Sequence, residues 1–425
     1  MLIFSPKGIG AILSVAVAAL TQPCAAQEQA KTTVTFLTAE RPDTFAPAIA
    51  LFERQHKNIH IEYQQVPFDN LSAQVAARIG SGDKDLDLYA VDVPRVTELA
   101  SKSYLAPLED ERAKLENIAG DKAIQAVSYQ GKIYAYPLWT STQIMYFNRD
   151  LLNAAHIPFP SADPARRLTW QQLVGQAQQA QQAGAPWGFS FEQVDRYYQL
   201  LSLYISYGAG SGLKGNDALT ADLTSGGWQQ VSDWYRSLYI KHIAPRGVTP
   251  EQTPDLFGDG KVAFFVGGPW NIGRFNKVAS LHYGVAPMPY FAGGSPSTPT
   301  DSWAVGINPH SAHAREAKLF AEFISIDPEG SYSTVINNPL PPVNNVAFKR
   351  YIGNLSTMDS KIGPISSIVS YELAHTAVSR PRTKGYVIFE TIIDRAFSDI
   401  RNGADSKQTL ERAQLRLNRS FARIK

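Results

Sequence analysis

Between residues 34 and 91 the apolar pattern of this chain changes period four times. Residues 34–37 read as a strand, and from Phe45 the apolar positions Phe45, Ile49 and Phe52 recur at helical spacing until His56-Lys57-Asn58. Residues 59–65 read as a second strand, 70–79 as a helix stopped by Gly80-Ser81-Gly82-Asp83, and 86–91 as a third strand. Strands that alternate with helices are expected to lie parallel in one sheet with the helices packed on its faces, which is an α/β lobe. In such sheets ligands sit beyond the carboxyl ends of the strands. That rule brings Glu40, Arg41 and Asp92 towards one candidate site. Asp92 has a second reading as the N-cap of a helix starting near Pro94, and a pair such as Glu40 and Arg41 is more often a solvated loop pair than a ligand contact.

One such lobe does not use up the chain. The first 26 residues carry one charge, Lys7, then an apolar run over 9–20 and the small-residue exit Cys24-Ala25-Ala26, the layout of a secretory signal peptide. The run is shorter than the ~20 residues that span a bilayer, and no comparable stretch follows, so a soluble, exported protein is expected. Gln22 and Pro23 stand where a lipidation box wants small residues, which argues against a lipid anchor on Cys24. Cleavage after Ala26 would remove the only cysteine, and with it disulfides, thiol nucleophiles and cysteine metal sites. The 399 residues that follow exceed the roughly 250–300 at which single cores stop growing, so at least two lobes are expected. They hold 39 basic against 38 acidic residues, a balance that disfavours nucleic acid as a partner.

Residues 168–243 combine helical periodicity with many aromatics, among them Trp170, Tyr197, Tyr204, Trp228 and Tyr235, most of which are expected in the core. Further strands are expected at 262–266 and 302–307, separated by a proline- and glycine-rich stretch over 287–299. The tail, 386–424, reads as two helices parted by Asn402-Gly403, the second with Leu410, Ala413, Leu417 and Phe421 on one face. Residues 210–215 fit a bare G-x-G-x-x-G but follow a helical segment where a dinucleotide loop follows a strand, so they read as a flexible loop. No phosphate-binding loop, zinc motif, calcium loop or nucleophile elbow occurs, and the eight histidines are scattered, so neither metal nor organic cofactor is expected. A glycosidase's two acids need only be close in space, which keeps an exported glycosidase as a distant alternative.

Four segments, in order, resemble the extracellular solute-binding proteins that include maltose-binding protein and its sugar-specific relatives. They are 131–158 (GKIYAYPLWTSTQIMYFNRDLLNAAHIP), 257–270 (FGDGKVAFFVGGPW), 287–325 with its SWAV strand and EAKLFAEFI helix, and 380–386 (RPRTKGY) with the tail helices. In the second, phenylalanines replace the family's Ala-Met pair and stay apolar. The resemblance implies a two-lobed periplasmic binding protein fold of type II, its discontinuous α/β lobes joined by hinge strands. Lobe one would take 27–137 and 288–343, and lobe two 141–285 and 346–425.

It also implies a function: a monomeric receptor of an ABC importer that holds a sugar in the interlobe cleft, delivers it to transmembrane permease subunits, and catalyses nothing. Sugar rings offer flat apolar faces edged by hydroxyls, so such a cleft needs aromatic side chains for the faces and polar ones for the rims. Trp139, Trp270, Trp303 and Tyr386 fall in the family-like segments. Trp270, after Gly-Gly-Pro, is expected on a loop facing the ligand. Arg382 offers a rigid fork of donors, and Trp187 and Asp195 are further candidates of the second lobe. Within the same family, a receptor for glycerol 3-phosphate or a glycerophosphodiester would need cationic donors, for which Arg382 and Arg41 are the candidates.

Overall fold

The computed structural model describes residues 31–424, so the leader with Cys24 lies outside the described residues. Five strands build a first sheet: β1 (Thr32–Thr38), β2 (Ile59–Gln65), β3 (Leu88–Asp92), β4 (Tyr136–Pro137) and, much later in the chain, Trp303–Ile307. Alternating Thr and large apolar residues give β1 its extended preference, and Val34, Phe36 and Leu37 are buried. β1 runs parallel to β2 and β3, as the crossover helices require. Helix α1 (Pro42–Gln55) begins with proline at its first position, where no amide is lost, and buries Phe45, Ala48 and Phe52. Helix α2 (Phe68–Gly80) buries Leu71, Val75 and Ile79.

A second sheet of four strands follows: β5 (Ile144–Asn148), β6 (Trp187–Phe191), β7 (Val262–Gly267) and β8 (Tyr283–Ala286), in spatial order β8-β5-β7-β6. β7 is parallel to β6 and antiparallel to β5. One face of this sheet, with Tyr146, Phe257, Phe265 and Phe275, joins the core that surrounds the first sheet. The other face carries a second core filled by Trp170, Trp228, Tyr204 and Tyr235. Two tail helices, Tyr386–Arg401 and Ser406–Phe421, close that core through Phe389, Phe397, Leu417 and Phe421.

Three stretches cross between the sheets. Residues 138–143 lead from β4 to β5. A second stretch, 287–302, holds β9 (Thr298–Pro299) and returns the chain to the first sheet as β10 (Trp303–Ile307). β10 inserts between β3 and β4 and is antiparallel to both, so the first sheet is mixed and not wholly parallel as its opening pattern suggests. The third, β11 (Ala377–Val378), pairs in parallel with β9. Thr140 and Thr300 hydroxyls meet at 2.9 Å, and the Arg380 amide donates to Asp301 Oδ2 at 2.8 Å. The crossings therefore form one hydrogen-bonded bundle.

The glycine-rich stretch after the 197–207 helix is not a loose loop. Leu213–Lys214 pairs with Thr220–Ala221, and Asn418 and Gln414 of the last helix accept from the amides of Ala221 and Leu223.

Candidate functional site

A cleft of about 850 Å³ opens where the two sheets and the crossings meet, within the size range of small-molecule sites. The register that pairs Trp303 with Asp92 puts an indole at the mouth of the first sheet directly beside a carboxylate. Phe68, at the start of α2, meets Trp303 edge to face at 5.8 Å. The guanidiniums of Arg196 and Arg95 lie 4.6 and 5.5 Å from the Phe68 ring centre. Trp270 and Arg196 line the second-sheet side. Arg196 also reaches Asp69 of α2 at 3.5 Å and Glu251 at 3.1 Å, so it pairs with acids from both walls.

Beneath the cleft is a buried ion network. Arg380 grips Asp92 through two donors, at 2.5 and 2.8 Å. Arg95 donates to Glu390 at 2.6 Å, and the Tyr386 hydroxyl donates to the same carboxylate at 3.0 Å. Asp394, one helical turn beyond Glu390, accepts from the Tyr197 amide at 2.7 Å. Burial, and the charge of Glu390 after it, hold the Asp394 carboxyl well above the ordinary carboxylate range. Asp301 sits in the left-handed region at φ 74°, a conformation that L residues rarely adopt without support. Its carboxylate caps the Arg380 amide and its carbonyl accepts from Ser141 at 2.5 Å, which fixes it.

Glu40 lines the cleft with its carboxylate accepting from Asn338 at 3.2 Å. Burial pushes its pKa up to about 7, against the opposing charge of Arg41 and the indole of Trp303. A second chamber of about 610 Å³ adjoins the cleft on the far side of Trp270, sharing Glu40, Arg196, Glu251, Trp270 and Asn338 with it. Arg41, Arg274 and Lys277 line its outer part.

Of the residues singled out from sequence, Glu40, Asp92, Trp270, Trp303 and Asp195 line the main cleft, and Arg41 lines only the outer chamber. Arg41 is paired with Asp43 at 3.2 Å and is largely exposed. Asp92 does not cap the turn that follows it, because its oxygens are held by Arg380. Trp139 lies in the core: its ring stacks on Phe45 at 5.3 Å and its indole N–H donates to Thr334 at 2.8 Å. Tyr386 is fully buried and reaches the site only through its hydroxyl, which donates to Glu390 and accepts from Arg380. Arg382 is exposed and donates to the Gln125 carbonyl, away from the cleft. Trp187, at the start of β6, does not line it either. Arg380, two residues before Arg382, is the arginine of that segment at the site. Arg95, Glu192, Arg196, Tyr198, Asp301, Glu390 and Asp394 also went unread, each having a partner far away in sequence.

The family model described as bacterial extracellular solute-binding protein matches residues 26–325. Maltodextrin-binding protein MdxE of Bacillus subtilis is 26% identical over 353 residues, covering 80% of this chain and 78% of that protein. Among solved structures, the ABC substrate-binding protein Lmo0181 of Listeria monocytogenes, in complex with cycloalternan, superposes with a TM-score of 0.80 at 20% identity, over 92% of this chain and 99% of that one. The GacH receptor of Streptomyces glaucescens, solved unliganded and with acarbose, gives 0.77 at 20% identity, over 93% and 98%. At such identities these two likenesses speak for the fold.

Proposed function

The chain belongs to the bacterial extracellular solute-binding proteins, and from that premise we propose that it is the periplasmic receptor of an ABC importer for a disaccharide or short oligosaccharide. The observation that carries this reading is the cleft itself: Trp270 and Trp303 are offered from the two sheets, with carboxylates, guanidiniums and amides between them. Ring faces stack on indoles and hydroxyls exchange hydrogen bonds with the rim. The B. subtilis relative is named for maltodextrin, which makes maltooligosaccharides the first probes.

The lobes in this reading are 27–137 with 288–343 and 141–285 with 346–425, and the ligand side chains are Glu40, Asp92, Trp270 and Trp303, joined by Arg196 and Asp301. A solute touching both walls binds the closed form better than the open one, so its differential affinity moves the population towards closure, the shape a permease reads. We assign residues 1–26 as the signal peptide and the mature protein as unlipidated. Two streptococcal relatives are named lipoproteins, so intact mass of the exported protein tests this assignment.

A phosphoester ligand fits less well. Arg95 and Arg380 already carry Glu390 and Asp92, and a phosphate would have to displace those partners. Calorimetry with maltose, maltotriose and glycerol 3-phosphate separates the readings. Saccharide binding without turnover is expected, and heat only from the phosphate, or shortened saccharide products, would overturn the proposal.

A further inference from the structure

Trp270 sits in the short 3-10 turn Pro269–Asn271 that follows β7, and it has a single carboxylate behind it. Glu192 follows the last residue of β6 and is buried, and Trp270 Nε1 donates to its Oε1 at 2.6 Å while the Gly268 amide donates to its Oε2 at 2.9 Å. The Gly268 carbonyl is held from the other side by the Tyr146 hydroxyl at 2.7 Å and Asn271 Nδ2 at 3.2 Å. The Gly-Gly-Pro-Trp sequence follows from this packing. A Cβ on Gly267 would stand 2.8 Å from Glu192 Oε2, and one on Gly268 would stand 2.0 Å from the Trp270 ring, so both must be glycine for carboxylate and indole to approach. No lysine or arginine is hydrogen-bonded or ion-paired to Glu192 among the described contacts; burial pushes its carboxyl up, and Asn271, the Gly268 amide and the indole as donors, with the nearby charge of Arg196, oppose that push. Burying an acid costs free energy unless its donors repay it, and here the donors are the cleft wall itself.

We infer that Glu192 is a positioning residue: its two oxygens clamp the indole of Trp270 and the Gly268 peptide together, and so set the plane of the aromatic wall. The inference rests on the reading of Trp270 as a saccharide wall. Glu192→Gln discriminates sharply, because an amide keeps one acceptor oxygen and turns two donors towards N–H groups that need acceptors. Whichever way it flips, either the indole or the Gly268 amide faces another donor.

Emission from Trp270 alone is the difference between a protein and its Trp270→Phe variant, taken with Glu192 present and with Glu192→Gln. In the glutamine background that signal should shift to the red and become about twofold more quenchable by acrylamide. Maltotriose affinity should fall about tenfold, while in a Trp270→Ala background the same change should move affinity less than about twofold. An unshifted, equally shielded Trp270 signal in folded Glu192→Gln protein would overturn the inference, and so would a full affinity loss that persists without Trp270. If the glutamine variant does not fold, Glu192→Asp, which keeps both acceptors but withdraws them by one methylene, must show the same red shift, and its absence is equally fatal. The fluorescence arm needs no ligand, so it decides the role of Glu192 even if maltotriose does not bind. Trp270→Ala binding maltotriose as the unmodified protein does would instead sink the saccharide-wall reading.

Discussion

Glu40 has the most finely balanced charge of the cleft residues. Burial favours its neutral form, so the folded chain keeps this proton up to about pH 7, whereas the unfolded chain releases it near 4.5. Across that window the unfolded state binds fewer protons, and stability therefore falls as pH rises. Glu40→Gln cannot ionise; its Tm should decline less between pH 5 and pH 8 than that of the unmodified protein, and equal slopes in paired thermal melts would refute the assignment. Trp270→Ala should lower maltotriose affinity at least about tenfold by calorimetry, and should also lower Tm, because it removes an N–H donor from the buried Glu192 carboxylate. Both residues were legible as single side chains, Glu40 from its place after a strand and Trp270 from its glycine-rich approach. Arg380 was not: a guanidinium's role depends on Asp92, 288 positions away, and nothing in the local pattern ranks it above Arg382.

At the level of elements, the order and period of strands and helices were largely readable, since burial of one face imposes them locally. The 59–65 strand and the tail helices parted at Asn402-Gly403 occur where the pattern sets them. The 386–401 helix carries a second stripe that its apolar positions hide: Tyr386, Glu390, Asp394 and Ser398 repeat every four residues, and the last three line the cleft. The end of β3 offers a decision by magnitude. Had Asp92 been a helix cap, its loss would cost about 1 kcal/mol. As the partner of Arg380, with that guanidinium almost wholly enclosed, Asp92→Ala should cost about 3–5 kcal/mol. Urea denaturation distinguishes the two, and a loss near the smaller figure would remove the ion pair from the account.

Across the whole molecule, the two walls touch through pairs that sequence could not announce, Arg196 with Asp69 and Arg95 with Glu390. If these are the contacts of a closed cleft, small-angle scattering of the saccharide-free protein should give a larger radius of gyration than the same protein with saturating maltotriose. An identical radius in both would count against hinged capture. What the sequence did convey at this scale was that a single core would not suffice, because the chain exceeds the length at which single cores stop growing. The late strand β10 has an effect that reaches beyond the folded state. Since residues 303–307 lie between β3 and β4, the first sheet as folded is complete only once most of the chain has been synthesised.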